Sequence, residues 1–190
     1  RDIDGKYFAF NEDGQMQTGL QLIGEDGVGS IYYFNSDGYQ QTGKQTNIEE
    51  DDDDTYNYYF TTKNAGNGKG YTGEKDGYLY WMGKRLEADD DYKIYKVNGS
   101  YYLVNTKGKL QKSTSKKYDI DMPNGSTQED MQFSIAKKTY KMAETDFVKD
   151  NACVPHIELC DNWVVNKGNN AAVIKKLDVD FLQEKDLGSV

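Results

Sequence analysis

Tyrosine is the residue type through which this sequence could do chemistry. There are 16 Tyr beside 7 Phe and 2 Trp. Many stand in clusters: Tyr7-Phe8, Tyr32-Tyr33-Phe34, Tyr58-Tyr59-Phe60, Tyr78-Leu79-Tyr80-Trp81 and Tyr101-Tyr102. Aromatic rings stack on the apolar faces of sugars, and their hydroxyl tips stay wet while the rings pack. Flanking Gln and Asn would supply hydrogen bonds. Tyr7, Tyr33, Tyr59, Tyr101 and Trp81 are the candidate ligand contacts. Alternation along a strand turns Tyr7, Tyr33, Tyr59 and Tyr101 outward if Phe10, Phe34, Phe60 and Val104 point inward.

Other chemistries find less support. His156 is the only histidine. It lies beside Pro155, between Cys153 and Cys160, in a stretch with no companion motif. There is no G-x-S-x-G, no H-E-x-x-H and no phosphate-cradling glycine loop. The 32 acidic residues offer carboxylates for glycoside hydrolysis, but no spacing singles out a pair. No enzyme is expected. The acidic runs Glu49–Asp54 and Asp89–Asp91 lack the alternating spacing of a calcium loop. They read as solvated loops, so neither a metal nor a cofactor is expected. A disulfide between Cys153 and Cys160 and a pair of free thiols both remain open.

Composition narrows the partners. A net charge of -9 and the lack of a basic stripe argue against nucleic acid. No run of about 18 apolar residues is present, so no membrane insertion is expected. The sequence opens on Arg1 in mid-pattern, with no signal peptide, as a mature or excised piece of a longer protein would. A hydrophobic fraction of 36% is low for a conventional core, so the aromatics must supply much of the packing.

The elements that would position these rings are repeated. GKYFAFNEDGQMQTG (Gly5–Gly19) and GSIYYFNSDGYQQTG (Gly29–Gly43) share Phe, Asn, Asp, Gly, Gln, Thr and Gly at matching places. Lys6–Phe10 and Ile31–Phe34 read as strands, Asn11–Gly14 and Asn35–Gly38 as turns, and Gln15–Thr18 and Tyr39–Thr42 as return strands. A third copy, near 56–77, is stretched by extra turn residues in Asn64–Gly70. Gly77–Met82 reads as a strand, with a turn at Gly83-Lys84 into Arg85-Leu86 in a short copy near 77–86. Asn98–Ser113 is a further, degenerate copy near 97–113. The first two copies span about 5–24 and 29–48. Such a period of about 20–24 residues predicts an all-β solenoid of stacked hairpins over residues 1–115. Residues 116–190 read as degenerate repeats or a capping, β-rich part. Strands are expected at Lys116–Asp121 and Lys175–Asp180 and within Met131–Met142. A short helix is expected near 143–149, and Asn162–Asn166, with Trp163, reads as a last eroded copy.

These repeats resemble the cell-wall-binding or choline-binding repeats of Gram-positive surface proteins. The glucan-binding repeats of streptococcal glucosyltransferases and the carbohydrate-binding repeats of clostridial toxins are similar. The likeness rests on the aromatic cluster, the Asn/Asp-x-x-Gly turn and the closing Thr-Gly. It is good over residues 5–44, moderate over 56–73 and 97–113, and poor beyond 118. It implies a secreted, non-catalytic module at the cell surface or wall that anchors or targets a larger protein by binding wall polymer or surface carbohydrate. A structural stalk, or an adhesin touching a host protein through its C-terminal part, is the alternative. Choline-binding members cage the quaternary ammonium with two Trp and a Tyr. Here Leu20 and Lys44 stand where the Trp after Thr-Gly would be, so choline binding in that manner is not expected.

Overall fold

The computed structural model describes residues 1–25, 28–50, 54–62, 67–159, 164–166, 171–173 and 177–183, with side chains described no further than residue 152. Among the described residues the chain is all-β apart from one short helix. It divides into two compact units. One comprises Arg1–Tyr71, Met82–Lys84 and Ile157–Asp178; the other comprises Thr72–Trp81, Arg85–His156 and Val179–Val190. No helix among the described residues is long and apolar enough to cross a membrane.

In the first unit, β1 (Asp2–Ile3) pairs with β2 (Lys6–Tyr7). Next, β3 (Ala9–Phe10) pairs with β4 (Met16–Gln17) around the Asn11–Gly14 turn. The expected strand Lys6–Phe10 is thus broken at Phe8, whose N–H donates to the Arg1 carbonyl at 2.9 Å. A longer hairpin follows, between β5 (Gly19–Glu25) and β6 (Val28–Phe34). It begins at the glycine of the closing Thr-Gly, which takes φ 75°. After the second turn, β7 (Gln40–Gln41) returns along β6. β8 (Gly43–Glu49) then pairs with β9 (Thr55–Phe60), again starting at the Thr-Gly glycine, φ 74°. Each copy therefore contributes two hairpins. The short one surrounds the turn as the sequence predicts, and the long one carries the chain from one copy to the next.

The turn chemistry repeats atom for atom. Asn11, Asn35 and Asn105 each accept on Oδ1 from the N–H four residues on, at 2.8, 2.8 and 2.9 Å. Their carbonyls accept from Gly14, Gly38 and Gly108 N–H at 3.0, 2.9 and 2.9 Å. In the stretched copy Thr61 stands in for Asn, and its N–H donates to the Lys69 carbonyl at 2.8 Å across the longer loop. Asn35 Oδ1 also accepts from Asp37 N–H at 3.1 Å. Removing two such bonds at about 1 kcal/mol each gives an expected loss of about 2 kcal/mol for Asn35→Ala, read as a lower urea midpoint with an unchanged slope.

A second rule joins successive copies. The residue two places after each turn glycine lies against the turn glycine of the following copy. A Cβ on Gly38 would meet Met16 Sδ at 2.2 Å, one on Gly68 would meet Gln40 Nε2 at 2.3 Å, and one on Gly83 would meet Gly70 Cα at 3.1 Å. In the second unit a Cβ on Gly108 would meet Arg85 Cγ at 2.9 Å. Turn glycines are thus needed twice, for a left-handed φ and for clearance under the neighbouring hairpin. The core of the first unit contains nearly parallel rings: Tyr33 on Phe60 at 6.1 Å, and Phe60 on Tyr58 at 5.7 Å.

The second unit begins with β10 (Gly73–Lys75) antiparallel to β11 (Tyr78–Trp81). The chain then forms β12 (Lys84–Arg85), at whose start Lys84 pairs with Tyr58 of β9 within the first unit. β13 (Tyr92–Val97) and β14 (Ser100–Asn105) form a regular hairpin closed by Asn98-Gly99, at φ 51° and 74°. β15 (Tyr118–Asp121) runs parallel to β13, with β16 (Thr127–Met131) antiparallel beside it. The strand expected within Met131–Met142 is therefore placed earlier, and only an Ile135–Met142 bridge remains there. The short helix is α1 (Asp146–Asn151), its Thr145 Oγ1 accepting from Val148 N–H at 3.3 Å. β17 (Cys153–Leu159) lies parallel to β13. In the first unit again, β18 (Val164–Asn166) pairs with β19 (Ala171–Val173), which pairs with β5. β20 (Leu177–Gln183) falls where Lys175–Asp180 was expected to be a strand.

The β13–β14 hairpin is covered on both faces. Ile94, Tyr101 and Leu103 pack with Tyr118, Ile120, Phe133, Val148 and Ala152. Tyr95, Val97, Tyr102 and Val104 pack with Leu79, Leu86 and Leu110.

Candidate functional site

Successive copies build a cleft in the first unit. The first copy contributes Lys6 and Tyr7, the second Tyr39, Gln40 and Thr42, and the turn of the third Asn67; the cleft measures about 310 Å³. Each residue is positioned by an element already described. Tyr7 ends β2, and its neighbour Gly5 takes φ 77° while donating its N–H to Asp2 Oδ1 at 2.9 Å. Tyr39 directly follows turn glycine Gly38, with its N–H tied to Asn35. Gln40 Nε2 donates to the Asn67 carbonyl at 2.8 Å, fixing that wall. The Tyr39 ring is held edge-on by Phe8 at 5.3 Å, and Lys6 Nζ lies 3.9 Å from its centroid. Two aromatic rings, amides, a hydroxyl and one cation thus converge in a concave site, the usual composition of a small-ligand pocket.

Of the residues expected to contact ligand, Tyr7 lines this cleft. Tyr33 and Tyr59 are half-buried and engaged with neighbouring rings, Tyr33 with Phe60 and Tyr59 with Tyr71 at 5.8 Å. Trp81 is half-buried against Leu79 and its cluster. Tyr101 corrects the expectation outright, since only 4% of it is exposed. The alternation is real there, but it assigns an outward face only when one side of the hairpin is bare. Residues 118–152 cover that side. Phe34, Phe60 and Val104 are buried as the alternation requires, whereas Phe10 is half-buried on the wall of a hollow shared with Phe8, Gly14 and Ile23.

Tyr39 is the contact that the repeat pattern hid. It aligns with Gln15, so it belongs to no shared position and to no aromatic cluster. The available signal was its place immediately after the turn glycine, where a side chain faces the preceding copy.

The acidic runs are not simply solvated. Glu50 is buried: its Oε1 accepts from Tyr58 hydroxyl and its Oε2 pairs with Lys84 Nζ at 3.0 Å, with the two side chains 3% and 8% exposed. Lys84 Nζ also lies 3.5 Å from the Tyr56 centroid. Residues 51–53 lie outside the described residues. In the second unit, Asp121 accepts the backbone N–H groups of Asp89, Asp90 and Asp91 at 3.1, 3.1 and 3.2 Å. Desolvation, then the charges of Asp90, Asp121 and Asp119, push the Asp91 carboxyl above its ordinary value. Among the described residues no group of three or more His, Cys, Asp or Glu is arranged to hold a metal. Lys116, hydrogen-bonded to the Tyr92 hydroxyl, lies 4.7 Å from the Tyr92 centroid and is held above the usual lysine value mainly by that bond. Burial raises the Tyr118 phenol, partly offset by Lys116 and Ser113. Cys160, Trp163 and the side chains of Cys153 and His156 lie outside the described residues.

No protein-family model matches the chain, and no curated protein matches it in sequence. Solved structures do resemble it. CbpJ from Streptococcus pneumoniae matches with a TM-score of 0.41 and 19% identity over 91% of this chain and 72% of that one. Choline-binding protein F of the same organism, in the presence of a peptidoglycan analogue, matches with 0.39 and 18% over 73% of this chain and 44% of that one. The modular autolysin LytC, in complex with synthetic peptidoglycan ligand, matches with 0.40 and 14% over 90% of this chain and 37% of that one. The chain thus spans under half the length of the last two. Its repeats resemble the choline-binding type of cell-wall repeat in sequence, and solved choline-binding proteins are among the structures it is similar to.

Proposed function

We propose that this chain is a secreted, non-catalytic module, a stack of β-hairpins that binds wall polymer or surface carbohydrate and so anchors or targets a larger protein. The cleft of Lys6, Tyr7, Tyr39, Gln40, Thr42 and Asn67 carries the reading. Its rings, amides and hydroxyl suit a sugar, which offers an apolar ring face and a rim of hydroxyls. The Lys6 ammonium already lies 3.9 Å from the Tyr39 centroid, in the place a quaternary ammonium would take, which favours a sugar over choline. A single cleft of this size binds weakly, and avidity would come from further contacts along the same polymer.

Retention of the full chain on insoluble cell-wall polysaccharide tests the proposal. Tyr39→Ala should weaken retention by about tenfold, equivalent to ~1.4 kcal/mol, within the range of one aromatic stacking contact. Tyr7→Ala should act in the same direction. Retention equal to that of the parent in both variants would remove the cleft from the function.

A further inference from the structure

The chain holds several cations against its own tyrosines, and three of these contacts share a third member. Lys84 lies over Tyr56 and pairs with Glu50 at 3.0 Å. Arg85 lies over Tyr78, 5.2 Å from its centroid, and pairs with Glu87 at 2.5 Å. Lys93 lies near Tyr95, at 5.9 Å, and pairs with Asp89 at 2.8 Å. In each case a ring takes one side of the cation and a carboxylate another. Lys116 lies 5.2 Å from the Tyr118 centroid and has the Tyr92 hydroxyl in that role. Lys6 has the ring, Tyr39, but among the described residues no carboxylate lies within ion-pair distance of it. The nearby Asp2 carboxylate is turned to the Gly5 N–H. Lys6 also lines the cleft, whose described lining includes no acidic residue.

We propose that the missing third member is supplied by the ligand: the cleft takes an anionic sugar unit, and Lys6 receives its carboxylate or phosphate. This rests on the carbohydrate reading above and narrows it to acidic saccharides. The ring of Tyr39 restricts the ammonium, so part of the entropic cost of ordering a lysine on a ligand is met before binding. A cation–π contact at an exposed site is weak, leaving the ammonium free to gain from an anion. The chain's net charge of -9 would repel an acidic polymer at large. A local cation in a cleft without carboxylates makes this the place where such a polymer can approach.

Titration of the full chain with trigalacturonate and with its methyl ester, at low and at high salt, tests the proposal. The two probes share ring and hydroxyls and differ in charge. Trigalacturonate should bind about fivefold more tightly at low salt, as expected of one partly exposed ion pair. The gap should close at high salt and in Lys6→Gln, and persist in Lys6→Arg. Glucose 1-phosphate serves as a second arm: a preference for it over glucose would assign the anion as phosphate and uphold the proposal equally. Equal binding of every charged and neutral pair would overturn the acidic preference while leaving the carbohydrate reading in place. Binding of no probe would overturn both. Lys6 is exposed, so unchanged thermal unfolding of both variants is expected and guards against a folding artefact.

Discussion

Lys84→Ala should cost the protein about 3–5 kcal/mol, the largest loss expected from any single side chain here. The reason is the company Lys84 keeps. Its ammonium and the Glu50 carboxylate are 8% and 3% exposed and 3.0 Å apart. The carboxylate also accepts from the Tyr58 hydroxyl, and Tyr58 is fully buried in the aromatic column with Phe60. Removing the lysine leaves a carboxylate in a place that water reaches poorly, and that desolvation is the main cost. Glu50→Leu combined with Lys84→Met removes both charges and should recover much of the loss, apart from the bond that the Tyr58 hydroxyl donates to Glu50. Urea unfolding of the three proteins separates the cases. A loss below about 1 kcal/mol for Lys84→Ala would mean that the pair behaves as an exposed surface bridge.

The same residues show what the sequence can and cannot reveal. The turns were legible because Asn and Gly do a local job, and Asn11, Asn35 and Asn105 do it with the same hydrogen bonds. The long hairpins were not, because β5 begins within the motif that closes a copy and ends in a segment where only Gln21 and Glu25 recur, as Gln45 and Glu49. Glu50 was read with the acidic run around it, and its partner Lys84 stands 34 residues away, so only the fold brings the charges together. Tyr101 fails for a related reason. Alternation along β14 is a local property, whereas covering of the face that carries Tyr101 depends on residues 118–152 folding back. For the cleft, one wall was legible in Tyr7, and the other depended on which residue follows a turn glycine once the copies are stacked.

That stacking is tested most sharply by alanine at three glycines. At Gly14, φ is +75° and an added Cβ would meet nothing within 4 Å, so Gly14→Ala should cost only the left-handed strain, about 1–2 kcal/mol. At Gly38, φ is +79° and the Cβ would meet the Met16 thioether at 2.2 Å. Methionine can swing aside, so Gly38→Ala should cost about 1 kcal/mol more than Gly14→Ala. Gly70 has no left-handed φ, yet its Cβ would lie 2.3 Å from the Met82 carbonyl oxygen, 2.5 Å from its carbon and 2.9 Å from Gly83 N. Here the obstacle is backbone, and it is tied in place. Gly70 N–H donates to Ile31 O at 2.7 Å, Gly83 N–H to Tyr71 O at 2.8 Å, and Tyr59 N–H to Gly83 O at 2.8 Å. Relief of the clash must break one of these bonds or part the two strands, so Gly70→Ala should cost about 3 kcal/mol or more. The predicted order of urea midpoints is therefore Gly14→Ala above Gly38→Ala above Gly70→Ala. It inverts what backbone conformation alone would give, because the glycine with no left-handed φ becomes the costliest to replace. A Gly70→Ala variant as stable as Gly14→Ala would show that neighbouring copies are not in close contact, and the packing rule that joins them would fall.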